Sequence, residues 1–105
     1  MAEEKGYTIQ VKESEDRVVV EFSLAGPITP EEALEIAKDI EKAIIPKYAH
    51  KLVIVSGRGP IWLYGIILHS LHPVKALATL DPRLGAVVVQ SHSTEYKEGQ
   101  VIPLE

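Results

Sequence analysis

The sequence predicts a single α/β domain built on a mixed, mostly parallel sheet, with the element order β-β-α-β-α-β-β. The chain has 105 residues, of which 46% are hydrophobic and 25% charged, a composition that suits one globular domain with a buried core. Short runs rich in β-branched residues alternate with two segments of helical periodicity. Two strand–helix–strand passages then require parallel strands joined by right-handed crossovers.

The chain begins with two predicted strands, at Tyr7–Lys12 and Arg17–Ala25. In the second strand, Val18, Val20 and Phe22 occupy alternate positions, as expected of a strand with one buried face. The segment between the strands is polar, which predicts a hairpin, and the Gly-Pro pair that follows ends it.

The first helix has a strong start signal. Thr29 is placed to cap the helix, Pro30 suits its first position, and Glu32 completes a capping box. Apolar residues then recur at helical spacing as far as Ile45, and Pro46 is expected to stop the helix.

The second half contains a central strand and a second helix. Leu52–Val55 is short and apolar, as in a fully buried strand. Ile61–Leu71 is a helix that is apolar almost all round, so it should be buried on most sides or lie in a subunit interface. Further strands are predicted at Val74–Leu80, Ala86–Gln90 and, at the edge of the sheet, Gln100–Leu104. This is the order of a small Rossmann-like domain, whose ligands bind outside the carboxyl ends of the parallel strands.

The composition excludes several classes of site and compartment. There is no cysteine, so disulfide frameworks, zinc–thiolate sites and thiol nucleophiles are excluded. The first residues lack the pattern of a signal peptide, and the longest apolar stretch, Ile61–Leu68, is too short to span a bilayer. We therefore expect a cytoplasmic protein that makes no membrane contact.

Charge is distributed unevenly along the chain, although the net charge is only −4. Residues 1–41 hold 11 acidic and 4 basic side chains, whereas residues 42–94 hold 6 basic side chains and one acid, Asp81. All four histidines also lie in the second stretch. An anionic ligand of limited area would therefore be bound there. Alternatively, the first stretch simply carries a solvated acidic face.

A glycine-rich loop, Ser56–Pro60, follows the central strand. Gly57 and Gly59 would let the backbone approach a phosphate closely, and Arg58 between them adds a guanidinium suited to phosphate or to stacking on a base. The loop is not the dinucleotide fingerprint, and it lacks the lysine of a P-loop. The alternative is a plain strand-to-helix turn that needs glycine for its geometry.

Histidines and one carboxylate are the other candidates for chemistry. His69 and His72 share one helix face. With Asp81 and His92, they could hold Mn²⁺ or act as acid, base and charge stabiliser in phosphodiester cleavage. The alternative is that the helical histidines only interact with the carbonyl end of their helix. His50 has no partner and is interpreted as a surface residue.

Four further side chains have two interpretations each. Asp81 and Arg83 flank a proline, where they could orient a hydroxyl and neutralise developing charge, or could form only a local turn. Trp62 and Tyr64 could stack on adenines, but in so apolar a helix they are expected to belong to the core.

Four motifs resemble one protein family. They are Ser-Gly-Arg-Gly-Pro-Ile-Trp at Ser56–Trp62, His-Ser-Leu-His-Pro at His69–Pro73, Asp-Pro-Arg-Leu-Gly at Asp81–Gly85 and Val-Val-Val-Gln-Ser-His ending at His92. In this order they resemble the small stand-alone proteins of type III CRISPR systems that belong to the CARF (CRISPR-associated Rossmann fold) superfamily. The resemblance covers nearly the whole chain.

This resemblance implies a manganese-dependent ring nuclease of antiviral defence. Such an enzyme degrades the second messenger cyclic tetra-adenylate and could also trim adenylates from the 3′ end of short A-rich RNA. The family binds its ligand across a homodimer, and dimers stack into tetramers or filaments.

The resemblance also assigns residues of this chain. Ser23 and the loop Ser56–Gly59 are implied to contact the ligand. His72, Asp81 and Arg83 are implied to form the catalytic group, with His69 and His92 nearby. The metal would be held by three of these side chains: His72, Asp81 and His92.

Helix geometry places these groups at two different edges of the sheet. The helix Ile61–Leu71 separates its ends by roughly 16 Å at about 1.5 Å per residue. Arg58, Asp81 and Arg83 should therefore lie at one edge, with the three motif histidines at the other. Head-to-tail stacking of dimers would bring the two edges together.

Two other functions remain open on the sequence alone. The chain could be a non-catalytic sensor that binds cyclic oligoadenylate as a homodimer and signals in trans. It could also be an assembly module whose apolar helix serves only oligomerisation.

Overall fold

Among the described residues, six strands form one sheet and two helices pack against it. In the computed structural model, which describes residues 6–103, the elements follow in the order predicted, with a short sixth strand at the end. They are β1 (Tyr7–Glu13), β2 (Arg17–Leu24), α1 (Pro30–Tyr48), β3 (Leu52–Ser56), α2 (Ile61–Ser70), β4 (Ala76–Asp81), β5 (Gly85–Ser91) and β6 (Val101–Ile102).

The strands lie in the sheet in chain order, β1 to β6. β2 pairs parallel with β3 and β3 with β4, whereas β1–β2, β4–β5 and β5–β6 are antiparallel. The prediction of a mostly parallel sheet is therefore wrong. Only the two crossovers through a helix give parallel pairs, and connections without a helix give the three antiparallel ones.

The strand order does not confirm the Rossmann-like expectation. Both crossovers advance in the same direction across the sheet, so two right-handed connections place α1 and α2 on the same face. The order of these strands never reverses, and the described chain therefore lacks the switch point at which doubly wound folds bind ligands. The carboxyl ends of β2, β3 and β4 still share one edge of the sheet.

Two clusters of buried side chains lie on opposite faces of the sheet. The larger joins α1 and α2 to the sheet and contains residues such as Ile40, Leu63 and Val53. The smaller contains strand residues such as Ile54 and Val88, against which the part-buried Tyr96 packs from the segment after β5. Both faces of the central strand β3 are therefore covered, as its apolar sequence predicts.

The start of α1 matches its prediction and its end does not. Thr29 Oγ1 accepts a hydrogen bond from the Glu32 backbone N–H (3.1 Å), and Glu32 Oε1 accepts one from the Thr29 N–H (2.8 Å), which completes the capping box. The helix continues through Pro46 to Tyr48, so the expected stop is wrong. A proline this close to the helix end removes one backbone hydrogen bond, and the buried Ile44 keeps the last turns on the core.

The second helix is less buried than expected for an element apolar all round. Only Leu63 and Ile67 are fully buried, while Ile61 is 86% and Trp62 is 40% exposed. The expectation that Trp62 belongs to the core is therefore wrong. Tyr64 is half-buried and packs edge-on against Phe22, with ring centroids 5.4 Å apart.

Element boundaries differ from the predictions by one or two residues. β4 begins at Ala76 rather than Val74, and it includes Asp81. β6 is limited to Val101–Ile102, and the predicted end at Leu104 lies outside the described residues. Within residues 6–103, neither helix is long and apolar enough to cross a membrane.

Candidate anion-binding site

The carboxyl ends of the parallel strands bring the candidate ligand residues to one edge of the sheet. Ser23 lies near the end of β2, the loop Ser56–Gly59 ends β3, and Asp81 ends β4 and starts the turn to Leu84. We call this set the arginine edge. Its members lie together because β2, β3 and β4 run in the same direction.

Packing against Phe22 explains both glycines of the loop. At Gly57 the backbone has φ +143°, and a Cβ there would lie 2.5 Å from the Phe22 carbonyl oxygen. At Gly59 a Cβ would lie 2.9 Å from Leu63 Cδ2 and 3.0 Å from the Phe22 ring. Both glycines are therefore needed for the geometry of this strand-to-helix turn, which was the alternative to a role in phosphate binding. They also leave Arg58 exposed between two tightly packed positions.

The turn after β4 is organised by the carboxylate of Asp81. Its Oδ1 accepts hydrogen bonds from the backbone N–H groups of Arg83 (2.7 Å) and Leu84 (3.0 Å). This is an Asx turn, so the local structural role is shown. The turn lines an open groove of about 420 Å³ that Leu80, Gly85 and other neighbours complete.

Two guanidinium groups give the arginine edge its chemistry. Arg58 and Arg83 are both exposed, and in the described part of the chain neither guanidinium makes an ion pair or a hydrogen bond. Glu32 also lies where α1 begins, but its carboxylate is held by the capping box. Unpaired guanidinium groups are suited to bidentate contacts with phosphate oxygens.

The serines lie on the sheet face that faces away from the helices. Ser56 pairs with Glu21 across the parallel strands, and Ser23 lies two positions further along β2, so the two hydroxyls share a face. Ser23 is exposed and Ser56 is half-buried. Both are accessible at the same edge as Arg58.

The motif histidines gather at the opposite edge. His69 lies in the last turn of α2, His72 precedes β4, and His92 follows β5, which runs antiparallel to β4. We call these three residues the histidine edge. The imidazole centroids of His72 and His92 are 5.3 Å apart, and all three side chains are exposed.

Two side chains contact the backbone carbonyl of His72. One belongs to a residue of β5 and the other to the residue that follows β5. The His72 carbonyl oxygen accepts a hydrogen bond from Gln90 Nε2 (2.8 Å) and lies 3.1 Å from His92 Nε2. The second contact requires the proton of His92 on Nε2. Sequence reasoning missed Gln90. The residue lies within the Val-Val-Val-Gln-Ser-His motif, but nothing in the motif predicts its contact across the sheet.

Lys75 adds little free positive charge to the histidine edge. Its ammonium pairs with the carboxylate of Glu95, and this contact raises the pKa of Lys75. The same ammonium lies 5.9 Å from the ring centroid of Tyr96. His50, interpreted as a surface residue, is exposed.

One chain does not bring the predicted metal ligands together. His72 precedes the start of β4 and Asp81 is its last residue, and the six residues of that strand span roughly 17 Å at about 3.3 Å per residue. Among residues 6–103, no group of three or more His, Cys, Asp or Glu side chains could hold a metal ion. The donors that the structure describes in one copy therefore do not fit Mn²⁺.

Fold and site together define a small α/β domain with an exposed guanidinium pair at the carboxyl ends of its parallel strands. A family model described as "CRISPR-associated protein (Cas_csx3)" matches residues 21–103, which include both edges. A protein of Aquifex aeolicus (strain VF5), described as an uncharacterized protein, is 44% identical over 95 residues, covering 90% of this chain and 84% of that protein. The chain belongs to the CRISPR-associated Cas_csx3 family.

Proposed function

We propose that this protein is a CARF-superfamily ring nuclease that binds cyclic tetra-adenylate at its arginine edge. The observation that carries the proposal is the pair of exposed guanidinium groups, Arg58 and Arg83, on one edge of the sheet without partners in the described chain. A ring of phosphodiesters presents several negative charges over a small area, which suits two cations at the same edge of the sheet. Membership of a CRISPR-associated family supports a nucleotide messenger as the ligand.

Cleavage would need groups from both edges of the sheet. RNA supplies its own nucleophile, the ribose 2′-hydroxyl, so the protein must align it with the phosphorus and neutralise charge. In our proposal Asp81 orients the 2′-hydroxyl and Arg83 contacts the phosphate. His72 accepts the hydroxyl proton as the 2′-oxygen–phosphorus bond forms, and the 5′-oxygen takes a proton from solvent as its bond to phosphorus breaks. Because His72 and Asp81 lie at opposite edges of one chain, the catalytic site is completed by a second copy.

Exposed apolar side chains support the assembly that this mechanism requires. Ile61 and Trp62 are exposed at the start of α2, and Val89 and Val101 are 42% and 41% exposed on the outer strands β5 and β6. Burial of such apolar side chains is the main driving force of protein association. We propose a homodimer whose dimers stack head to tail into tetramers or filaments, with the arginine edge of one copy facing the histidine edge of another.

Manganese enters the proposal only at that junction. The Asp81 carboxylate of one copy and the imidazoles of His72 and His92 of another are the donor types that bind Mn²⁺. When bound there, the ion would supply Lewis acidity toward a phosphate oxygen.

A second function is favoured by one observation. A single chain holds the cations at one edge and the histidines at the other, which suffices for binding without cleavage. The second candidate is therefore a sensor that retains cyclic oligoadenylate as a homodimer and signals to a partner.

Labelled cyclic tetra-adenylate, incubated with the protein in Mn²⁺ or in chelator, tests these functions. Cleavage of the ring supports the ring nuclease, and binding without cleavage supports the sensor. If the protein neither cleaves nor binds the ring, only the assembly module remains. A short RNA with a 3′ oligoadenylate end, run in parallel, measures the trimming activity.

Matched arginine variants locate the binding surface. Arg58→Ala should weaken ring binding about tenfold or more, because a charge-assisted contact to phosphate is lost. Arg17→Ala removes the same group from the far end of β2, where Arg17 Nε lies 3.4 Å from Asp16 Oδ1, and should leave affinity unchanged. Equal effects of the two substitutions would contradict the assignment of the arginine edge.

A further inference from the structure

The hydroxyl of Tyr64 controls the peptide group next to Arg58. It donates a 2.7 Å hydrogen bond to the carbonyl oxygen of Gly57 from a half-buried position on α2. The Tyr64 ring is held edge-on against Phe22, the residue on which both loop glycines pack. The hydroxyl and the ring of Tyr64 therefore both help to fix the position of this loop.

The hydrogen bond from Tyr64 also fixes the direction of the Arg58 backbone N–H. The Gly57–Arg58 peptide is trans, so its C=O and N–H point in opposite directions. Because the carbonyl is turned inward to Tyr64, the N–H of Arg58 is turned outward. In the described chain this N–H makes no hydrogen bond to any other group.

We propose that Tyr64 is a positioning residue that holds the backbone N–H of Arg58 outward as a hydrogen-bond donor to a phosphate oxygen of the bound ring. This inference rests on the proposed function and names a contact within the same site. Without the hydroxyl, the peptide can rotate and present the Gly57 carbonyl oxygen, which repels an anion. Burial raises the pKa of Tyr64, so the phenol stays protonated and able to donate at neutral pH.

Tyr64→Phe removes the hydroxyl and keeps the ring on Phe22. We expect cyclic tetra-adenylate to bind this variant roughly 3- to 10-fold more weakly, the effect of losing one ordinary hydrogen bond, because the Arg58 N–H is no longer held in place but is not removed. The salt dependence of binding should stay the same, since no charge is removed. Arg58→Ala should instead lower the slope of log affinity against log salt concentration.

The matched control is Tyr48→Phe. The Tyr48 hydroxyl donates to Glu13 Oε1 at 3.3 Å, at the opposite end of the sheet from the arginine edge. This variant loses the same group and should bind the ring like the wild type. Thermal unfolding of both variants establishes that they are folded at the assay temperature.

A second measurement does not depend on any variant. In an amide NMR titration of the wild type with the ring, the Arg58 N–H should shift downfield at saturation. An unmoved Arg58 amide in the ring complex would overturn the inference even if Tyr64→Phe failed to fold.

The outcomes separate this inference from the proposed function. If the wild type does not bind the ring, the proposed function fails. If the wild type binds and Tyr64→Phe binds equally well, only the role of Tyr64 fails. A weaker Tyr64→Phe with the reduced salt slope of Arg58→Ala would also overturn it, because the lost contact would then be the guanidinium and not the peptide N–H.

Discussion

The substitution Gly57→Ala probes the packing that presents Arg58. A Cβ at this position would lie 2.5 Å from the Phe22 carbonyl oxygen and 2.8 Å from two Phe22 ring atoms. The backbone φ of +143° is also one that side chains with a Cβ rarely adopt. Both the overlap with rigid backbone and the dihedral strain oppose alanine.

The steric overlap and the backbone strain together give the expected loss of stability. Strain at an unfavourable backbone conformation and overpacking each cost about 1–3 kcal/mol, so we expect Gly57→Ala to lower the free energy of unfolding by about 3 kcal/mol. For a domain of this size that corresponds to a fall in Tm of roughly 15 °C. Thermal and urea unfolding, followed by the fluorescence of the single tryptophan, Trp62, measure it.

Gly65→Ala is the matched control. Gly65 lies within α2, and nothing lies within 4 Å of a Cβ built there. Alanine is the better helix former by about 1 kcal/mol, so this variant should be more stable than the wild type. If both substitutions shifted Tm in the same direction, or if Gly57→Ala left Tm unchanged, the account of the loop would be refuted.

Three further predictions concern the cap, an ion pair and the turn. Thr29→Ala should cost about 1 kcal/mol of stability in urea unfolding, through loss of the cap; an unchanged midpoint would contradict the role of the capping box. The ammonium of Lys51 holds the pKa of Glu13 below its ordinary value of 4.5, so the ion pair stabilises the folded state above about pH 4.5, and this stabilisation is lost as pH falls through the lowered pKa. Glu13→Gln should accordingly be less stable than the wild type at pH 7, and Tm curves that do not converge on acidification would refute the pairing. Asp81→Asn keeps an acceptor for the two turn N–H groups and removes the charge, so ring binding should persist while cleavage is abolished; equal loss of both would make Asp81 a binding or folding residue.

Local signals in the sequence predicted most of the elements. The capping box at Thr29 is a short-range pattern, and the structure contains both of its hydrogen bonds. The order of elements and the edge to which Asp81 returns also followed, because a helix between two parallel strands leaves little choice of direction. What depends on a few neighbouring residues was therefore predictable.

Features set by tertiary packing were predicted less well. Pro46 reads as a helix stop, but α1 continues past it, with Ile44 beside it buried in the core. The apolar helix predicts Trp62 as a core residue, yet Trp62 is 40% exposed. Apolar periodicity gives no information on which side of an all-apolar helix faces the sheet.

The candidate site was predicted in its residue types and only partly in its contacts. Arg58 and Arg83 were singled out as cations, and the sheet places both at one edge. The contacts of Tyr64 with the Gly57 carbonyl and of Gln90 with the His72 carbonyl were not predicted. Both join a side chain to a backbone group outside its own element, and the approach of the two depends on tertiary packing.

Mixing two inactive variants tests most directly whether catalysis requires two copies of the chain. Asp81→Asn and His72→Ala each remove one half of the proposed site, from opposite edges of the sheet. Combined in equal amounts and allowed to exchange subunits, they should recover about a quarter of the wild-type rate of ring cleavage, since one in about four junctions joins an intact Asp81 to an intact His72. If the mixture stays as inactive as either variant while the wild type cleaves the ring, the shared site is wrong.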